Sequence, residues 1–127
     1  MRVKLDCSFA PMVFAHEPPM RAAELLGVQG CVGGDVLAAV GPNGQLRGCS
    51  FGGPDEGDVI DGNFDQTWKR GLHAFRDYTE RAPEPCRSCA YLHLCRGGCR
   101  VVAQHAGDWW QPDPGCPRVR AWRRAQA

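Results

Sequence analysis

The sequence predicts a small α+β domain made of one β-hairpin and several short helices. Three features support this fold class: a length of 127 residues, enough for one domain; 16 Gly and 10 Pro, which interrupt regular elements; and eight cysteines. A domain of this size buries a modest fraction of its surface, so its apolar core alone would be marginally stable. Metal bound by the cysteines would supply the missing stabilisation. We therefore expect residues 1–127 to form a single metal-stabilised domain.

The upstream region, residues 1–30, is predicted to be a linker that contains one helix. Residues 1–6 alternate between apolar and polar side chains, which predicts a short strand. Residues 8–19 are rich in proline and are expected to be irregular. Two prolines then suit the first turn of a helix over residues 20–26, and Gly27 is its expected stop.

Residues 31–50 predict a β-hairpin. Its strands are expected over residues 35–40 and 45–49, with an Asn-Gly pair in the connection, because this pair tolerates the positive φ that a tight hairpin turn requires. The hairpin places Cys31 just before one strand and Cys49 at the end of the other.

A helix is predicted over residues 63–82, with Asn63 or Asp65 as its N-cap. Four large side chains recur on one face at helical spacing, and core packing is their expected role. They are Trp68, Leu72, Phe75 and Tyr78.

The cysteine-rich segment, residues 86–116, follows this helix and precedes a basic terminal helix predicted within 117–127. Inside the segment, residues 98–106 predict a short helix that Gly107 stops.

Four thiols lie within fourteen residues in this segment, with gaps of two, five and three residues. They are Cys86, Cys89, Cys95 and Cys99. Thiolates that converge on one point repel each other unless a cation neutralises them, and cysteine chemistry usually decides where cysteines occur. The run therefore predicts a metal or iron–sulfur site, since thiolates are soft ligands that suit both.

The complete cysteine pattern resembles the signature of a known family. In order, its members are Cys31, Gly44, Cys49, the run from Cys86 to Cys99, and Cys116. Lesser features agree: Gly62-Asn63 followed by Trp68, Arg-Gly-Gly-Cys-Arg ending at Arg100, and Pro-Asp-Pro-Gly before Cys116. The arrangement resembles the seven-cysteine SPASM domain, the C-terminal extension of many radical SAM enzymes, over nearly the whole chain.

This resemblance implies two auxiliary [4Fe–4S] clusters and a ligand set for each. The outer cluster would be held by Cys86, Cys89, Cys95 and Cys116. The inner cluster would be held by Cys31, Cys49 and Cys99, with Cys7 as the only cysteine left for the fourth position. Cys7 lies further upstream of Cys31 than is usual in the family, and without it one iron would be open to water or substrate.

Three further features of the segment have two interpretations each. Gly97-Gly98 would let the backbone point N–H groups at cluster sulfurs, and it also suits a plain tight turn. His93 is expected to be a bystander or an indirect donor rather than a ligand. The Trp109-Trp110 pair is expected to pack over a cluster, and a partner contact is the alternative.

The function that the resemblance implies is redox support and substrate positioning in a radical SAM oxidoreductase that modifies a peptide or protein. The Cys-x3-Cys-x2-Cys motif of the catalytic core is missing, because Val102 stands where its third cysteine would be. The chain is therefore not expected to cleave S-adenosylmethionine (SAM) alone. Its expected partners are a radical SAM barrel in cis or in trans, a peptide substrate and a small electron donor.

Other classes of function are disfavoured by the sequence. A net charge of +1 does not favour binding to nucleic acid or to a membrane surface. A cytoplasmic location is expected because no secretion signal is present. The main alternative is a structural zinc-binding interaction module, although zinc sites usually come as two separate CxxC-type pairs. A disulfide-stapled secreted domain is disfavoured by the same missing signal.

Overall fold

A computed structural model describes residues 5–60 and 64–127. The fold within these ranges is α+β, with one two-stranded antiparallel sheet and several short helices. The chain divides into two compact units: the residues up to Cys31 together with Tyr78–Ala127, and Val32–Asp77. No helix of the described parts is long and apolar enough to cross a membrane.

The described helices are all short. In chain order they are α1 (Ala10–Ala15), α2 (Met20–Leu25), α3 (Phe64–Arg70), α4 (His73–Arg76), α5 (Tyr78–Arg81), α6 (Leu92–Cys95), α7 (Arg100–His105) and α8 (Pro117–Gln126). The strands are β1 (Ala39–Val40) and β2 (Leu46–Arg47). The predictions of helices at α2, α7 and α8 are confirmed, each with ends within two residues of those expected.

The start of the first unit differs from the prediction. Residues 8–19 were expected to be irregular, but a 3-10 turn over Cys7–Phe9 leads directly into α1. The proline in α1 lies in the first turn, where a missing backbone N–H leaves no hydrogen bond unmade. The strand expected over residues 1–6 falls mainly on residues outside the described ranges, and Leu5 and Asp6 are not in a strand.

The apolar core of the first unit connects α1 and α2 with the cysteine-rich segment. Its buried members are Ala10, Phe14, Ala23, Tyr91 and Cys95. The rings of Phe14 and Tyr91 stack with centroids 5.0 Å apart, and the Tyr91 hydroxyl donates to the Pro18 carbonyl at 2.7 Å. This packing holds the segment that carries Cys89 and Cys95 against the N-terminal helices.

The hairpin of the second unit is confirmed, with shorter strands than predicted. Ala39 pairs with Arg47 and Val40 with Leu46, and Gly44 in the connection has φ +80°. The first predicted strand, over residues 35–40, starts later than expected. The backbone N–H groups of residues 35–37 donate to the Val32 carbonyl in a turn. Those amides are therefore not available to a sheet.

The prediction of a single helix over residues 63–82 is wrong, because the chain forms three short helices there, α3, α4 and α5. Leu72 adopts a left-handed conformation with φ 68° and its side chain is fully buried, which ends α3 and restarts the chain as α4. The preceding residue, Gly71, is a poor helix former and was the available signal for a break. The predicted burial of Leu72, Phe75 and Tyr78 is confirmed, whereas Trp68 is only half-buried. Of the two N-cap candidates, Asn63 lies outside the described residues and Asp65 lies inside the first turn of α3.

Arg76 ties together the backbone of the second unit. Its Nε donates to the Gly34 carbonyl at 2.6 Å, and its Nη1 donates to the carbonyls of Trp68 and Gly71. Its guanidinium also lies 4.7 Å from the centre of the Trp68 ring. One side chain thus satisfies carbonyls from the loop before the hairpin and from the break between α3 and α4.

Replacing Arg76 with methionine is expected to lower the free energy of unfolding by about 3 kcal/mol, because partly buried carbonyls lose their donor. Urea unfolding of the chain, followed by circular dichroism, measures this. The matched control is Arg47→Met in the same unit, where an exposed guanidinium pairs with Asp55. An equal loss in both variants would contradict the assigned role of Arg76.

Candidate metal centre

None of the eight cysteines is in a disulfide, and all lie at half-buried or buried positions. Those expected to hold the outer cluster converge in the first unit. One cavity is lined by Cys86, Cys89, Cys95 and Cys116, with Pro11, Phe14, Leu92 and Val119 among its apolar walls. The cavity is small, about 30 Å³, so a group of several atoms requires the surrounding side chains to move apart.

A single metal ion has a stricter requirement. Within residues 5–60 and 64–127, no group of three or more His, Cys, Asp or Glu side chains is placed to hold one metal ion. That finding concerns a single ion, whose ligands all meet at one point. A four-iron cluster is wider, and its ligands surround it from further apart, so the shared cavity is the observation that bears on a cluster.

Two thiols of this cavity, those of Cys86 and Cys95, have raised pKa values. Burial raises the pKa of Cys95 to about 12, and the neighbouring charge of Cys116 raises it further while the backbone N–H of Gly98 opposes the shift. Burial likewise raises the pKa of Cys86. Deprotonating all of these thiols in so confined a space is unfavourable unless a cation accompanies them. The donor set thus suits a soft, positively charged group.

The backbone between Cys95 and Cys99 separates these two cysteines into different environments. Cys95 ends α6, and three successive left-handed residues follow before Cys99 caps α7. Gly97 is required here, because a Cβ on it would lie 2.1 Å from a ring carbon of Tyr78. The sharp reversal lets two thiols with only three residues between them lie in different environments.

The second set of thiols in the first unit contains Cys7, Cys31 and Cys99. Burial raises the pKa of Cys7 to about 12, and the Asp6 carboxylate and then the charges of Cys31 and Cys99 add to this effect. Cys7 thus interacts with Cys31 and with Cys99, which the resemblance groups together in the inner cluster. Cys49 belongs to the second unit, where it is half-buried and forms an antiparallel bridge with Gly52.

Gly30 brings Cys31 close to the cysteine-rich segment. Its backbone N–H donates to the Leu94 carbonyl at 2.8 Å. A Cβ at this position would lie 1.7 Å from the carbonyl oxygen of Cys95, so no other residue fits without moving the backbone. Gly30 had no predicted role, because a close approach between segments distant in sequence leaves no local pattern.

Asp113 connects the segments that carry Cys99 and Cys116. Its carboxylate is buried and accepts hydrogen bonds from the backbone N–H of Cys99 at 2.9 Å and of Gly115 at 2.8 Å. Its own backbone accepts from the N–H of Cys116 and donates to the Gly97 carbonyl, both at 3.1 Å. This residue also had no predicted role, although an Asp between two prolines is a signal for a local turn.

Arg100 is fully buried beside the outer set of thiols. Its guanidinium donates to the carbonyls of Trp109 at 2.8 Å and Gln111 at 3.0 Å, and also to the Gly97 carbonyl. It lies 3.6 Å from the centre of the Tyr78 ring. A positive charge is therefore held permanently close to the predicted outer cluster.

The Tyr78 hydroxyl gives an independent test of whether a further group fits this cavity. Its oxygen is buried and makes no hydrogen bond of normal geometry within the described residues, which is unusual because buried polar groups are nearly always paired. It lies beside the Cys86 thiol, and its influence lowers the pKa of Cys86, against the larger effect of burial. Four thiols around one cavity, with a buried donor beside Cys86, fit the chemistry of a bound iron–sulfur cluster.

The remaining predicted features take ordinary positions. His93 is exposed on α6, as expected for a residue that is not a ligand. Trp109 and Trp110 are half-buried, and the Arg81 guanidinium lies 5.1 Å from the centre of the Trp110 ring.

Comparison with known proteins shows relatives of two kinds. No family model matches the chain. It is 34% identical over 110 residues to the mycofactocin maturase MftC of Mycobacterium ulcerans, covering 81% of the chain and 30% of that protein. It is 33% identical to the MftC of Mycobacterium tuberculosis (strain H37Rv), and this match covers 81% of the chain and 28% of that protein. It is 32% identical over 91 residues to the AdoMet-dependent heme synthase of Nitratidesulfovibrio vulgaris, and this match covers 69% of the chain and 24% of that protein. The chain thus spans less than a third of the length of these curated relatives.

Replacing Asp113 with asparagine is expected to lower the free energy of unfolding by about 2 kcal/mol, because one carboxylate oxygen that accepts a backbone N–H becomes a donor. Urea unfolding measures the change. Asp108→Asn is the control, since the exposed Asp108 accepts from Gln111 through its backbone oxygen. Equal stability of the two variants would show that the Asp113 contacts do not hold the segment together.

The metal-free chain is expected to lose stability as the pH rises from about 9 towards 12. Burial raises the pKa of Cys95 from 9.0 to about 12, so the folded state holds a proton that the unfolded state releases at lower pH. The contribution is complete below pH 9 and disappears as the folded pKa is passed. Urea unfolding at several pH values measures it, with thiolate absorbance as a second signal. An unchanged pH dependence in Cys95→Ser would contradict this assignment.

Proposed function

We propose that this chain binds two auxiliary [4Fe–4S] clusters and supports a radical SAM enzyme that modifies a peptide or protein. The observation that carries the proposal is the cavity whose walls bring together Cys86, Cys89, Cys95 and Cys116. Three of these thiols are close in sequence and the fourth comes from 21 residues beyond Cys95, in the order of the signature that the chain resembles.

The proposed ligands of the outer cluster are these four cysteines. Cys7, Cys31 and Cys99 are proposed for the inner cluster, supported by the electrostatic interaction of the last two with Cys7. Cys49, which the resemblance adds to the inner set, is proposed on the sequence signature alone. When bound, such clusters supply one-electron transfer at potentials that the surrounding hydrogen bonds and burial adjust.

The chain's own residues would have three tasks at these clusters. The cysteines bind iron, and the apolar walls provided by Phe14, Leu92 and Val119 exclude water. Asp113 and Arg100 hold the loops that carry the ligands.

The relatives support the proposed partners. One is named a maturase and the other an AdoMet-dependent enzyme, and both are more than three times as long as the matched segment. We therefore propose that a radical SAM barrel, in cis or in trans, provides the SAM chemistry, and that this chain positions a peptide substrate and relays electrons from a small donor. The competing function is a structural zinc module, which also uses convergent cysteine thiolates.

Iron and sulfide content after anaerobic reconstitution tests this proposal, with Mössbauer spectroscopy to identify the cluster type. About eight irons per chain, present as diamagnetic [4Fe–4S]²⁺, are expected. Cys89→Ala and Cys31→Ala form a matched pair, and each is expected to remove about four irons with a different spectral component. Chelation of the iron is expected to lower the melting temperature.

The other outcomes are equally informative. About four irons in the unsubstituted chain would reduce the proposal to one cluster. Zinc retained without iron, even after anaerobic reconstitution, would overturn the redox function and leave a structural module.

A further inference from the structure

Tyr78 occupies a confined position between the backbone and a charged side chain. One face of its ring lies 3.6 Å from the guanidinium carbon of Arg100, and its ring carbons approach Gly97 so closely that no Cβ fits there. The side chain is fully buried. The hydroxyl therefore has little freedom to turn towards water, and its position is set by packing.

The surrounding acceptors do not pair with this hydroxyl. The Gly97 carbonyl accepts from Arg100 and from the backbone N–H of Asp113. The Trp109 and Gln111 carbonyls accept from Arg100. A buried phenol that makes no good hydrogen bond is destabilising, so its retention indicates an acceptor that is stronger than a neutral thiol.

The group that the hydroxyl faces is the thiol of Cys86, which lies in the wall of the same cavity as Gly97. Arg100, whose guanidinium lies 3.6 Å from the centre of the Tyr78 ring, adds a positive charge near the same sulfur. A thiol sulfur is a weak acceptor, whereas a thiolate bound to iron carries negative charge and accepts strongly.

We propose that Tyr78 is a positioning residue that donates a hydrogen bond to the sulfur of Cys86 when this residue ligates the outer cluster, and that Tyr78 together with Arg100 raises the reduction potential of that cluster. This inference rests on the proposed function, since it needs an iron–sulfur cluster in the cavity. It assigns the two clusters different surroundings, with the donor and the buried positive charge beside the outer one.

The direction of the effect follows from charge. Reduction adds one electron to the cluster and increases the negative charge on its sulfurs, so a donor and a nearby cation stabilise the reduced form more than the oxidised form. The proton stays on Tyr78 in both states, because the ordinary pKa of a tyrosine hydroxyl, about 10, lies well above neutral pH. No bond is made or broken, and the electron is the only particle exchanged.

The experiment is a redox titration of the reconstituted full chain, with dithionite as reductant and electron paramagnetic resonance as readout. Tyr78→Phe removes the hydroxyl and keeps the ring beneath Arg100. It is expected to change the oxidised-to-reduced ratio of one cluster about tenfold at a given potential, a shift of about 59 mV to more negative values. The other cluster is expected to titrate as before and serves as an internal reference.

The chain offers a matched control, because Tyr78 and Tyr91 are its only tyrosines. Tyr91→Phe makes the same chemical change at a buried ring in the same unit, but its hydroxyl donates to the Pro18 carbonyl. Both potentials are expected to stay unchanged in Tyr91→Phe. An equal shift in the two variants would overturn the inference, because it would trace the effect to lost packing or stability.

A second measurement covers the case in which Tyr78→Phe does not fold. In the Tyr91→Phe chain, 3-fluorotyrosine labels Tyr78 alone and makes its hydroxyl a stronger donor, so the potential of the same cluster is expected to rise. No movement of either potential in Tyr78→Phe or the fluorinated chain would overturn the inference while leaving two loaded clusters, and hence the proposed function, intact. Failure of the unsubstituted chain to take up iron would overturn the proposed function and this inference with it.

Discussion

The hydrogen bonds of Arg100 hold the arrangement of the first unit. A guanidinium buried away from water needs acceptors for its N–H groups, and both Nη atoms of Arg100 find them on the carbonyls of Gly97, Trp109 and Gln111. Its Nε has no partner within the described residues. The Nη hydrogen bonds close the chain from residue 97 to residue 111 into a loop. Asp113 then lies where its carboxylate reaches the backbone of Cys99, and Cys116 follows within hydrogen-bonding distance of Asp113.

The same centre combines two opposing demands. The thiols must be close together to share a ligand, and burial makes their ionisation unfavourable, as the raised pKa values of Cys86 and Cys95 show. The chain offsets this only in part, through Arg100, the Tyr78 hydroxyl and the backbone N–H of Gly98. Without a cation, the unfavourable free energy of ionising these buried thiols is only partly offset. This is expected of a site that binds a cation.

Local sequence signals predicted the elements whose hydrogen bonds are local. The Asn-Gly pair correctly predicted the hairpin. The prolines before residue 20 and the glycine after residue 26 correctly predicted α2. The break of the helix predicted over 63–82 was missed, because it depends on burial of Leu72, whose packing gain exceeds the cost of a left-handed backbone. Alternation and periodicity report which face is apolar, and they do not report where a chain must turn to bury it.

The cysteine spacing by itself determined the soft-metal chemistry expected of the chain, since ligand type is a property of the residues and their separations. Through the family resemblance, the same spacing also assigned Cys95 and Cys99 to different clusters. Only the tertiary structure decided which thiols share a cavity and which groups support them. Asp113 bonds to a backbone fourteen residues away, and Tyr78 faces a thiol across the turn that follows α5. Hydrogen-bond partners of buried groups are set by how separate segments pack, and short sequence patterns do not contain that information.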